Sequence, residues 1–186
     1  FLPRQQRLEC HHQAGNRIFG IKFRVSPIVL QKAVNFSEYR ESIYPLAYLI
    51  DKEVLQQVKA APDFETRVLI ISAYYQRIID QHAGTQAPVT IVTDLLKQCE
   101  EKRNFSASIS DLAAERGISA RTLQRYFLAT TSITGKEALQ ILRIRSAVEL
   151  RSKHPGQFRI QDYGYYDQSH FQKHLRQFLG PYARSV

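Results

Sequence analysis

Apolar and polar residues follow two different periods along this chain. Residues 17–30, "RIFGIKFRVSPIVL", are rich in β-branched and aromatic side chains, with Gly20 inside the run and Pro27 punctuating it. Such a run reads as extended chain, the last strand or two of a sheet. From about residue 36 the period lengthens. In "DFETRVLIISAYYQRIIDQHAG", Phe64, Val68, Ile71, Tyr75, Ile78 and Ile79 recur at helical spacing, and Gly84 stops the run. A shorter helix is expected near 51–60, with Asp51 as N-cap and Leu55 and Val58 turned inward. Another is expected at about 88–102. Pro88 is tolerated in its first turn, and Ile91, Val92, Leu95, Leu96 and Cys99 line one side. "EEKRN", residues 100–104, is the most polar break, and it divides an expected unit 1–103 from a second unit 104–186.

After the break, "SISDLAAERGISARTLQRYF" spans residues 108–127. Ser108 with Asp111 reads as the start of a short helix. Ile109, Leu112 and Ala113 form a small apolar face. Gly117 turns the chain, Ser119 caps a second helix, and Leu123, Tyr126 and Phe127 are its inward side. Two short helices crossing steeply need a small residue at their contact, Ala113, and a turn residue that accepts positive φ, Gly117. The second helix then projects Ala120, Arg121, Gln124 and Arg125 away from its core. Arg and Gln pair bidentately with guanine and adenine edges in the major groove. The bland alternative is two helices of any α-domain with a solvated face.

"TGKEALQILRIRSAVELRSKHPG" reads as a longer helix that ends at Pro155-Gly156, with Ala138, Ile141, Leu142, Val148 and Leu150 apolar and Lys136, Arg143, Arg145 and Arg151 basic. Next comes "DYGYYDQSHFQKHL", residues 162–175, in which three tyrosines and a glycine precede a close alternation of polar and apolar residues. Phe171 and Leu175 are held inward while polar groups face out. Aromatic rings can anchor a short helix that has little core of its own.

Charge sharpens this picture. The chain of 186 residues carries +9, and residues 101–186 hold 14 Lys/Arg against 7 Asp/Glu while residues 1–100 hold 12 against 10. The basic excess lies beside the polar helix faces, as a polyanionic partner requires. An apolar content of 44% argues against disorder. The two cysteines, Cys10 and Cys99, form neither a C-x-x-C pair nor a disulfide framework, which suits a reducing compartment. No run approaches the length of a membrane span, and no signal peptide is visible. The chain begins at Phe1 and contains no methionine, so it is expected to be part of a longer protein.

"LQRYF", the "RIRSA" helix and "GYYDQSHFQKHLRQFLG" resemble the AraC-type transcription regulators over about residues 106–180. The resemblance implies a mainly α DNA-binding domain, residues 104–186, with two helix-turn-helix units joined by one long helix. It also implies a sequence-specific transcription regulator of bacterial, cytoplasmic type with double-stranded DNA as partner. Matched residue by residue, Gly164 is the turn glycine, Tyr165 packs beneath it, Asp167 starts the second reading helix, and Phe171, Leu175 and Leu179 are its core stripe. Gln168, Ser169, Gln172 and Lys173 then face DNA, as Arg121, Gln124 and Arg125 do in the first unit. Two departures stand out. Ile160 occupies the place of an Ala expected four residues before the glycine, and Pro155-Gly156 interrupt the second unit's first helix, which is expected to shrink to a turn or so. The proline that follows the last glycine, Pro181, comes two residues early. "GIKFR" and "APDFETRV" resemble the sensor domain that precedes such domains, so residues 1–103 are expected to be a small α+β remnant of one. That implies a small-molecule effector and a homodimer as further partners. The linking helix, roughly 16 residues or ~24 Å, would set two readers about one turn of B-DNA apart, ~34 Å.

Other chemistry in the chain is thin. His170 and His174 lie at i, i+4, a spacing that can bind zinc, but no Glu follows the first His and no third ligand is evident. His170 instead supports the helix-turn-helix, and His174 is expected near phosphate. His11-His12 read as surface loop and Tyr74-Tyr75 as core and rim. Neither cysteine has an identifiable histidine partner. No catalytic residue, metal or cofactor is therefore assigned. Two other function classes stay in view: a DNA-repair enzyme fused to such a domain, and a basic helical adaptor for an acidic protein.

Overall fold

The computed structural model describes residues 13–21, 23, 25, 30, 46–82, 84 and 87–180. Within them the fold is mainly helical, carried by α1 (Lys52–Ala60), α2 (Phe64–Gln81), α3 (Ala87–Glu101), α4 (Ile109–Ala114), α5 (Ala120–Thr131), α6 (Gly135–Lys153) and α7 (Gln168–Leu179). Short 3-10 turns occur at Leu46–Tyr48, Pro155–Gln157 and Ile160–Tyr163.

The run 17–30 departs from expectation. Among its described residues no strand forms, and Leu30 is helical. A strand needs a neighbour for its backbone N–H and C=O groups, and no ladder partner lies among the described residues. The period-two alternation still acts. Phe19, Ile21 and Phe23, each two apart, all pack against the core formed by α1 and α2.

That first core consists of Ile50, Ile71, Tyr74, Tyr75 and Ile78, with Leu55 and Val58 against it as expected. Asp51 stands at the N-cap of α1, but its side chain makes no capping bond. Arg67 closes the other end of α1, donating from Nη2 to the Ala61 carbonyl at 2.9 Å and from Nε to the Val58 carbonyl at 3.3 Å. The buried stripe of α2 begins later than its periodicity predicts. Phe64 is 60% exposed and Val68 38%, while Phe64 rests edge-on against Phe19 at 5.6 Å.

The second core is larger and centres on α6, against which α3, α5, α7 and both C-terminal 3-10 turns pack. α6 has 19 residues, somewhat longer than the sequence pattern implies, and spans about 28 Å. Thr134 and Glu137 form a capping box at its start, and Arg151 and Lys153 occupy its last turn, complementing the helix dipole. Its buried residues are Gly135, Ala138, Leu139, Leu142, Arg143, Ile144 and Ala147. Ile141, Val148 and Leu150, read as apolar contacts from sequence, are only half-buried.

α3 belongs to this second core. Val92, Leu95, Leu96 and Cys99 are all buried there beside Leu123, Phe127 and Leu142. Arg116 ties the helix to the end of α4, its Nη2 donating to Gln98 Oε1 at 2.6 Å. The polar stretch 100–104 is thus the end of α3 and an exposed turn at the edge of one core: such a turn faces water and looks as polar as a linker.

Two predictions follow from this packing. Burying one Leu or Val side chain stabilises by about 1.5–3 kcal/mol, so the α3 face contributes an amount comparable to a whole domain's ~5–15 kcal/mol. A fragment 87–186 should therefore unfold cooperatively on heating, and a fragment 104–186 should not, as circular dichroism would register. Gly135 lies where a Cβ would meet Ile109 Cδ1 at 2.6 Å and Phe127 Cδ2 at 2.9 Å. Gly135→Ala should cost about 1–3 kcal/mol in urea unfolding through overpacking.

Candidate nucleic-acid interface

The first unit is built by two capped helices. Ser108 Oγ accepts from Asp111 N–H at 3.0 Å and starts α4. Ala113, 1% exposed, is buried in the same core as Leu123 and Phe127, and α4 packs on α5. Gly117 then turns the chain with φ +64°, a left-handed value that favours glycine. Ser119 Oγ accepts from Thr122 N–H at 3.1 Å and starts α5. Leu123 and Phe127 are fully buried on its inner side.

The outer side of α5 carries Arg121 and Arg125, both exposed, with Leu128 and Ala129 one turn further on. Together with Thr122 and Gln124 they line an open concavity along this helix. The Arg125 guanidinium lies 5.9 Å from the half-buried Tyr126 ring. Two expected outward residues are less free. Ala120 is half-buried against the core. Gln124, half-buried, accepts a long bond, 3.4 Å, at its Oε1 from Gly135 N–H at the start of α6.

As expected from Pro155-Gly156, the stretch before α7 forms no full helix, only the 3-10 turns Pro155–Gln157 and Ile160–Tyr163. Gly164 follows with φ +69°. Tyr163 and Tyr165 are buried at 3% and 2% exposure, whereas Tyr166 is 90% exposed. Asp167 caps α7, its Oδ1 accepting from His170 N–H at 2.7 Å. Phe171 and Leu175 are fully buried, and Gln168, Ser169 and Lys173 are exposed with Gln172 half-buried. The expected inward contact of Leu179 lies outside the described side chains.

α7 is held to α6 by aromatic and cationic contacts. Arg143, 8% exposed, places its guanidinium over the Tyr165 ring at 4.3 Å. Its Nη2 donates to His174 Nδ1 at 3.1 Å, and Tyr165 Oη lies 3.4 Å from the same nitrogen. The Tyr165 ring also meets Phe171 and His170 edge-on, at 5.1 and 5.3 Å. His174, expected beside phosphate, is thus turned into this joint. The His170–His174 pair stands as two rings 5.1 Å apart, and among the described residues no group of three or more His, Cys, Asp or Glu could hold a metal ion. Cys99 is 1% exposed, and burial pushes its thiol up, the opposite of what a nucleophile needs. Cys10 lies outside the described residues.

Arg143 is the functional-looking residue whose burial the sequence reading passed over. The signal was present: it falls four residues from both Leu139 and Ala147, in line with the buried stripe. No family model, curated protein or solved structure matches this chain.

The joint makes α7 sensitive to acid. Burial first, then the Arg143 cation, then His170 and Lys173, hold the His174 pKa below the usual histidine value. Between that depressed value and about 6.5 the unfolded chain binds more protons than the folded one. The stability contributed by neutral His174 is therefore present above ~6.5 and lost as pH falls toward the folded value. Urea midpoints measured at pH 7.5 and 5.5 should drop more for the parent chain than for His174→Gln, whose amide oxygen remains an acceptor at both values.

Proposed function

We propose that this chain is a sequence-specific DNA-binding transcription regulator of AraC type, reading two successive major-groove segments. One observation carries the reading: two side-chain-capped helices, α5 and α7, flank a single long helix, and each opposes a buried stripe to an exposed face of Arg, Lys, Gln and Ser. These residue types suit base edges and phosphates. The charge excess of residues 101–186 supplies the electrostatic attraction that duplex DNA requires.

In this reading Arg121, Arg125 and the Gln124 amide contact bases from α5, and Gln168, Ser169, Gln172 and Lys173 do so from α7. Arg145, exposed on α6, approaches phosphate. The α1–α2 core belongs to a sensor unit that takes a small-molecule effector and supports a homodimer. The burial of Cys99 weighs against the repair-enzyme alternative. Retention on duplex DNA but not on an acidic protein of equal charge separates the regulator from the adaptor. Among the described residues no helix is long and apolar enough to cross a membrane.

Sites selected from random DNA test the reading directly. Because the two reading faces carry different residues, one chain should protect an asymmetric site of two unlike half-sites, with α7 contributing the weaker preference. Protection of one groove segment, or a strict palindrome covered by two chains, overturns it. Arg125→Ala should cost about 1–3 kcal/mol on the selected site and relax base preference at one or two positions. Arg145→Ala should lower affinity for all sequences alike and flatten the salt dependence.

A further inference from the structure

The turn between α3 and α4 reaches the second unit. Arg103 adopts φ +51°, in the left-handed region although it has a side chain. Such backbone persists where its surroundings hold it. Asn104 N–H donates to the Cys99 carbonyl at 2.9 Å and closes α3. The turn aims Phe105 inward, where it is 5% exposed and stacks on Tyr163 with ring centroids 5.9 Å apart and planes 12° off parallel. Arg103 Nη1 lies 3.6 Å from Asp162 Oδ2, and its guanidinium 5.5 Å from the Tyr163 ring. Ser106 Oγ occupies the space over Gly164, 3.0 Å from where a Cβ would stand. Asp162, Tyr163 and Gly164 are therefore each met by a residue of the 103–106 turn. They are the last residues before the stretch that opens α7.

We infer that Phe105 is a positioning residue for the second reading helix: its ring, clamped on Tyr163, takes the place of the helix that Pro155-Gly156 interrupt. For its effect on DNA this rests on the proposed regulator reading; the clamp itself does not. Phe105 outweighs Arg103 in this role. The Arg103–Asp162 pair is nearly half-exposed, 48% and 41%, and an exposed pair is screened and contributes little. The stacked rings are buried and contribute both area and orientation. The end of α3 thus helps to present α7, although α7 lies more than sixty residues later in the chain.

The full chain tests this with three variants. Phe105→Leu stays apolar, keeps part of the volume and loses the ring. Tyr163→Leu removes the opposite ring. Arg103→Gly relaxes the left-handed residue and removes only the exposed contacts. Amide hydrogen exchange without DNA should speed up in α7 by roughly tenfold relative to α5 for either Leu variant, and by no more than about threefold for Arg103→Gly. Equal acceleration in α5 and α7, or none in α7, overturns the clamp. On DNA selected by the parent chain, Phe105→Leu should lose protection of the half-site assigned to α7 and keep that of α5. Loss of both together overturns the positioning role. If the parent chain selects no DNA, the regulator reading fails while the exchange measurement still decides the clamp.

Discussion

Burial of α6 is the constraint on which the second core depends. A helix packed by α3, α5, α7 and two 3-10 turns must be apolar on several sides, and its partners take their orientation from it. Gly135 shows how tight the contact is, since a Cβ there would force Ile109 or Phe127 to shift. Interiors packed to crystal-like density transmit position rather than absorb it. α5 and α7 are therefore held by a common rigid element, and their capped starts fix where each polar face begins.

The price of this arrangement is a cation in the core. Desolvating a guanidinium costs several kcal/mol unless other groups replace water around it. Among the described residues the contacts of Arg143 are the face of Tyr165 and the Nδ1 of His174 rather than a carboxylate. A desolvated cation–π contact contributes about 2 kcal/mol, and a neutral imidazole can accept the hydrogen bond only while it stays unprotonated. Nε of Arg143 makes no hydrogen bond. The joint is thus specific and only partly satisfied, which makes it the less secure of the two connections to α6. α5, by contrast, is anchored by the fully buried Leu123 and Phe127 and by Ala113 of α4.

Aromatic residues resolve what the interrupted helix leaves open. A 3-10 turn of four residues buries little area of its own, so Ile160–Tyr163 depends on neighbours. Phe105 and Phe158 both lie against Tyr163, at 5.9 and 5.8 Å, and Phe158 continues to Phe171 at 5.5 Å. Arg151 of α6 places its guanidinium 5.8 Å from Phe171 and 6.0 Å from Phe158. This chain of rings explains why the stretch before α7 is written in tyrosine and phenylalanine: large flat side chains cover more surface per residue than Leu or Val and accept edge and face contacts.

Local chemistry was legible in the sequence. Period 3.6 placed the helices from 51 onward to within a few residues, and short-range caps marked the starts of α4 and α5, because a cap is decided by groups three residues apart. Gly117 was readable as a turn because few other residues accept positive φ, and Gly164 was read as one from the resemblance. The exposed positions of α5 followed from the same periodicity, and those of α7 from the resemblance. Tertiary structure alone decided the rest. Residues 17–30 have strand composition, yet pairing is a property of a neighbour, and none is present among the described residues. Periodicity identifies an apolar face without saying what covers it, so α3 could not be assigned to its core from its own pattern. Arg143, His174, Gln124 and Phe105 were misjudged or passed over for one reason: whether a polar or aromatic side chain faces water is settled by contacts that lie, in the sequence, between eleven and nearly sixty residues away.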